Sequence, residues 1–180
     1  MKILTICPST LMDGYDTYSP AATKVLFDSR QVSHIYPGLS PEDDSNTSDE
    51  PIQNIGRISL SGAQSKFSVI VGDDNNLRYT RDGEQGTYIL KPRPIGYQII
   101  NKDYCAANEH VTMQIASQVY GIETAPNALC FFEDGKAAYI TRRFDVYPGG
   151  KYKQEDFAAL LGWSKDNGGR LFKYDKSSYE

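Results

Sequence analysis

Two residues frame the chemistry open to this chain: Lys91, at the end of the apolar stretch TYILKPR, and Glu109, in ANEHV. A lysine ending a strand is usually an edge charge with its head in water. Held by a carboxylate from the next helix, the same ammonium group gains a fixed direction and can meet a phosphate. Upstream, SLSGAQSK (residues 59–66) sets serines ahead of Gly62, followed by Ala63, Gln64 and Lys66. A glycine loop between strands lets backbone amides approach phosphate oxygens closely. The stretch is neither GxxxxGK[ST] nor GxGxxG, and taken alone it reads first as an ordinary hairpin turn. Lys66 reads as a strand-edge charge rather than a ligand.

The elements that would hold these groups follow from pattern. RISLSG and KFSVIVG alternate, and turns at DDNN (73–76) and DGEQG (82–86) set off LRYT and TYILKPR. Short strands with tight turns predict an antiparallel meander. In DYCAANEHVTMQIASQVYG (103–121), apolar residues at 107, 111, 115, 116 and 119 recur at helical spacing, and Gly121 is a natural stop. NALCFFEDGKAAYITRRFDV (127–146) predicts a hairpin around EDG, and KQEDFAALLGW (153–163) begins another helix. Near the start, SPAATKVLF (19–27) predicts a short helix capped by Ser19 with Pro20 in its first turn. SPEDDSNTSDEP (40–51) is polar and aperiodic, either a plain linker or a regulatory acidic segment. The fold class is α+β, an antiparallel sheet with one packed helix. The organisation expected is an N-terminal subdomain at 1–40, a linker at 41–53, a sheet-and-helix domain at 54–150 and a further stretch opening with a helix at 151–180.

Composition narrows the partners. The chain has 180 residues, a net charge of -4 and a sequence pI near 5.2. An acidic balance argues against nucleic acid or an anionic membrane as the main partner, since both need a basic surface. No stretch approaches the length of a membrane helix, and the start does not read as a signal peptide. Cys7, Cys105 and Cys130 are odd in number and widely spaced, which fits a reduced cytoplasmic protein. With two histidines, His34 and His110, a zinc site of the usual kinds is not available.

Taken together, SLSGAQSKFSV, TYILKP, NEHVTMQIASQVYGIETAP, DGKAAYITRRFDV and QEDFAALLG resemble, in order and spacing, the HipA/HipT family of bacterial serine/threonine-kinase toxins. The resemblance runs from about residue 55 to the end and is nearest to the short HipT-like, Bacteroidetes-type members. Their N-terminal piece is Cys-rich. Here Leu4, Ser19 and Ala22 stand at the places of its cysteines and histidine, so a metal site there is not expected.

The resemblance implies a protein-kinase-like N-lobe with a small N-terminal appendage, binding ATP and Mg2+, and makes 54–150 its nucleotide-binding domain and 151–180 the start of a truncated helical C-lobe. It makes Gly62, Ala63 and Gln64 the phosphate loop, Lys91 the ATP-phosphate lysine and Glu109 its helical partner. Ser59 and Ser61 fall where family members are autophosphorylated. Such a phosphate would repel ATP, although either serine also reads as a plain turn hydroxyl. Arg142 to Phe144 fall at the hinge that meets the adenine edge. Arginine at 142 replaces the family's common glutamate, a harmless change if the hinge works through its main chain. Gln154 or Asp156 would approach the ribose.

The catalytic aspartate, asparagine and magnesium-binding aspartate of phosphoryl transfer have no counterpart in 163–180. Asp166 and Asn167 are adjacent, and Asp175 stands alone. No catalytic residue is therefore expected here, and the magnesium ligands belong to a lobe beyond this stretch. Expected partners are a HipB-like DNA-binding antitoxin, a protein substrate such as an aminoacyl-tRNA synthetase, and a separate N-terminal partner subunit. The competing reading is a non-catalytic interaction module or a split-system subunit.

Overall fold

The computed structural model describes residues 5–41, 65–94, 100–155, 157–164 and 166. The residues up to Arg143 form one compact unit, and those from Phe144 on form a second. The first unit is a mixed α+β structure whose core is mostly sheet. Six strands lie in the order β1 (Ile35–Tyr36), β5 (Asn127–Phe132), β6 (Ala137–Arg142), β4 (Tyr88–Lys91), β2 (Phe67–Val71), β3 (Leu77–Tyr79). All neighbours pair antiparallel except β1, which runs parallel to β5 through Ile35↔Phe131 and Tyr36↔Phe132.

The three strands before the helix are not a simple meander. β4 pairs with β2 on the side away from β3. The connection between β3 and β4 must therefore cross β2. It does so with Thr80 N–H donating to the Ser68 carbonyl (3.1 Å) and Thr87 N–H to that of Val69 (3.2 Å). Gly86 lies on this crossing, where a Cβ would sit 2.0 Å from Ser68 Oγ and 3.2 Å from Thr80 Cγ2. Gly86→Ala is expected to overpack the crossing and cost about 1–3 kcal/mol, read as a lower denaturant midpoint with an unchanged slope.

The two faces of the sheet are covered differently. Strand alternation sends Phe67, Val69, Tyr88, Leu90, Ala128, Cys130, Phe132, Ala138 and Ile140 to one face. There they share one core with Cys7, Tyr18, Leu26, Phe27, Val32 and Tyr36 from the first forty residues. Helix α1 (Pro20–Leu26) lies in that layer. Ser19 caps it by accepting from Ala22 N–H at 3.2 Å, with Pro20 in the first turn, as its sequence predicts. The layer is tied down by Tyr88 Oη donating to the Leu26 carbonyl (3.0 Å) and Tyr18 Oη to that of Leu129 (2.9 Å).

The other face carries α2 (Cys105–Gln114), continued by a π-turn (Ile115–Val119). The helix forms where its sequence predicts, but it does not pack through its apolar stripe. Ala106 and His110 are its buried residues, whereas Val111, Ile115 and Val119 are 44%, 45% and 70% exposed. It seats on β5 and β6 through small and polar side chains. In the second unit, β7 (Val146–Tyr147) and β8 (Gly150–Lys151) form a hairpin, followed by the short helix α3 (Phe157–Leu160).

Candidate functional site

Register brings the charged groups together. β2 and β4 pair Phe67↔Leu90, so continuing by one residue sets Lys66 across from Lys91. β4 and β6 pair Lys91↔Tyr139. Cross-strand partners share a face, so Lys66, Lys91 and Tyr139 form one row beneath α2. Glu109 reaches this row from the helix, with Lys91 Nζ to Glu109 Oε1 at 2.5 Å. The Lys91 ammonium also sits 5.3 Å from the Tyr139 ring centre. Tyr139 is buried, and burial pushes its phenol up to about 12, so it stays neutral and works as a floor.

Lys66 is held below its ordinary pKa, first by burial and then by the positive charge of Lys91, with Glu109 pulling the other way. That coupling places all three charges in one neighbourhood. Lys91 and Lys66 thus bring two ammonium groups close to Glu109. The Lys91 and Glu109 side chains are 19% and 31% exposed, sheltered enough for charge to act strongly yet open to a ligand. Ile89 lies on the same face about 6.8 Å back along β4 and is half-buried, as is its cross-strand partner Thr141. The site thus runs from an apolar strip to a cationic end.

The model for the HipA-like C-terminal domain matches residues 58–180, a span that holds the whole cross-strand row. The chain belongs to the HipA family. A Haemophilus influenzae (strain ATCC 51907 / DSM 11121 / KW20 / Rd) protein named "Putative kinase" is 34% identical over 92 residues. Those residues are 49% of this chain and 24% of that protein, so the chain spans about a quarter of the length of the curated relative it matches. The core-forming residues 5–41 lie ahead of the matched HipA span.

The other residues singled out by the HipA resemblance are placed differently. Ser59, Ser61, Gly62, Ala63, Gln64, Asp156, Asn167 and Asp175 lie outside the described residues, as do Leu4 and nearly all of the linker. The Arg142 side chain points to the face opposite Lys91, since Tyr88↔Arg142 and Lys91↔Tyr139 differ by an odd number of residues along β4. There it grips Asp28 through two bonds of 2.7 and 2.9 Å. Arg142 N–H donates to the Pro126 carbonyl and Arg143 N–H to that of Thr87. Phe144 and Gln154 belong to the second unit and are exposed.

Because the Arg142–Asp28 pair is partly exposed, solvent screens most of its worth. Arg142→Glu sets two carboxylates face to face and is expected to cost about 1 kcal/mol or less. Thermal melts should show this small loss, while ligand affinity at Lys91 stays at the wild-type value.

Reading the sequence one element at a time missed Lys66 and the pairing of His110 with Asn127. Aligning KFSVIV against TYILK in antiparallel register is the signal that would have paired Lys66 with Lys91. Among the described residues, no group of three or more His, Cys, Asp or Glu could hold a metal ion, and no helix is long and apolar enough to cross a membrane.

Proposed function

We propose that this HipA-family chain is the ATP-binding portion of a serine/threonine kinase, with the cross-strand row as its phosphate site. The carrying observation is the Lys91–Glu109 pair beside Lys66 at the end of an apolar strip. A nucleotide has the matching shape, a flat base joined to a polyanion. The base would lie toward Ile89 and Thr141 and the phosphates toward the lysines. Protein kinases fix a strand lysine on the phosphates with a helical glutamate, and the Lys91–Glu109 pair supports the same role here.

The HipA resemblance supports Gly62, Ala63 and Gln64, just ahead of Lys66 in sequence, as the phosphate loop. Phosphorylation of Ser59 or Ser61 there would add negative charge to the anion site and switch binding off. The amides of Arg142 and Arg143 already donate to the Pro126 and Thr87 carbonyls, so neither is open to the adenine edge. Magnesium would arrive with the nucleotide, and its protein ligands would come from outside the described residues. The complete protein would phosphorylate another protein, such as an aminoacyl-tRNA synthetase, as the toxin of a cytoplasmic toxin–antitoxin pair held by a HipB-like antitoxin. The relative's printed name supports the kinase class.

A second reading draws on the exposed stripe of Val111, Ile115 and Val119. It makes the chain an interaction module or split-system subunit that binds a partner antitoxin or kinase. Calorimetry of ATP·Mg2+ against the full chain separates the two. The kinase reading expects saturable binding that Lys91→Ala strongly weakens, and the second reading expects a folded chain that binds no nucleotide.

A further inference from the structure

Next to Glu109 on α2 stands His110, which is fully buried. Its Nδ1 lies 2.7 Å from Oδ1 of Asn127, the first residue of β5. Asn127 is itself held on several sides. Its Nδ2 donates to the Ala125 carbonyl (2.8 Å), its own carbonyl accepts from Ser9 Oγ (2.8 Å), and its Oδ1 accepts more loosely from Gln114 Nε2 (3.4 Å). With Nδ2 committed to a carbonyl, Oδ1 must face the histidine as an acceptor. The network therefore assigns the ring proton to Nδ1. His110 Nε2 is then a bare acceptor, buried and without a hydrogen-bond partner among the described residues.

The asymmetry between the two charge states is large. A neutral ring leaves one lone pair unpaired. A protonated ring would leave a buried cation with an unpaired N–H, which is far more costly. The groups around it do not offset this. On the elements packed against α2, β5 carries Cys130 and β6 carries Arg142, both directed to the opposite face, while β6 also carries Tyr139 on this face. The turn ahead of α2 carries Lys102, Asp103 and Tyr104, and the helix itself carries Cys105 and Glu109, the latter committed to Lys91.

We propose that His110 is the positioning residue that seats α2 on β5 while its ring is neutral, holding Glu109 on Lys91, and that protonation of the ring unseats the helix. The inference rests on the nucleotide reading only for its consequence at Lys91. Burial lowers the His110 pKa, against a smaller raising effect of the Asn127 bond. The unfolded or unseated ring takes a proton more readily, near pH 6.5. The stabilisation is therefore fully present above about pH 6.5 and is lost as pH falls through the lowered folded-state value. Burial also lowers the pKa of His34, against a raising effect of Asp16, so it contributes in the same window and must be separated.

Amide hydrogen exchange of the full chain at about pH 7.5 and 5.5 makes the test, with wild type, His34→Asn and His110→Asn. Asparagine at 110 offers Asn127 an N–H in place of Nδ1 and has no proton to gain. In wild type and His34→Asn, protection factors over 105–119 should fall by up to about tenfold per pH unit below 6.5, and in His110→Asn they should stay level. Equal protection at both pH values in wild type, or the same fall in His110→Asn, overturns the proposal. If His110→Asn does not fold, ring NMR of wild type decides. A His110 ring that gains its proton where α2 loosens supports the proposal; one that titrates near 6.5 with α2 unchanged overturns it. Labelled ATP is titrated at the same two pH values. Nucleotide that never binds, alongside the expected exchange pattern, removes the nucleotide reading and leaves the role of His110 standing.

Discussion

Lys91→Ala is expected to weaken ATP·Mg2+ binding strongly while leaving the fold in place. A charge-assisted contact to phosphate contributes roughly 1.5–3 kcal/mol, which corresponds to a loss of roughly 10- to 150-fold in affinity. Removing the lysine also releases the Glu109 carboxylate from its ion pair beside the site, which adds repulsion to the lost attraction. The cost to folding is much smaller. Glu109 is 31% exposed once paired and can hydrate when its partner is gone, so stability should fall by about 1 kcal/mol or less. Calorimetry and a thermal melt on the same sample separate the two effects. Lys66→Ala should weaken binding by a smaller factor, since Lys66 acts as the second cation across from Lys91. Both affinities should decline with added salt, because the site is partly open to solvent. Wild-type binding by a folded Lys91→Ala chain would remove the phosphate assignment outright.

The Lys91–Glu109 pair was legible because each member sits in a strongly patterned element. TYILK ends a strand on its lysine, and the next helix presents its glutamate one turn in. Lys66 was not legible from its neighbours. Its place depends on the register between two strands, and register is set by pairing rather than by local spacing. Arg142 finds Asp28 across 114 residues, and no local pattern announces that partner. The side on which α2 packs was hidden for a different reason. Periodicity marks the stripe at 111, 115 and 119, but the helix sits down through Ala106 and His110, one small and one polar. The first forty residues were the hardest to read. Their apolar groups fall in short runs broken by turn residues, because residues 5–41 cover a sheet face from loops, one short helix and the two-residue β1 instead of repeating with a single period.

Phe27→Ala tests what those first residues are worth and should produce the largest loss of stability in the chain. Phe27 is 1% exposed, with its ring 5.2 Å from that of Tyr18 and 5.5 Å from that of Tyr88. It therefore joins the N-terminal layer to β4, the strand that carries Lys91. Truncating a buried phenylalanine costs about 3–5 kcal/mol, against a typical total of about 5–15 kcal/mol for a domain. The decisive readout is where the loss appears. A layer that merely rests on an independent sheet would fray alone, leaving exchange protection in β5 and β6 at wild-type levels. A shared core unfolds cooperatively, so protection in α1 and in β5 and β6 should fall together, by the same free energy. The second outcome follows from the packing, since Leu26, Phe27 and Tyr36 lie in one cluster with Leu90, Cys130 and Ile140. Phosphate binding at Lys91 should then weaken as well, though only in proportion to the unfolded fraction, and adding ATP·Mg2+ should raise the melting temperature of Phe27→Ala by mass action on the folded form. A melting temperature unmoved by nucleotide, with α1 alone losing protection, would show the two layers to be separate.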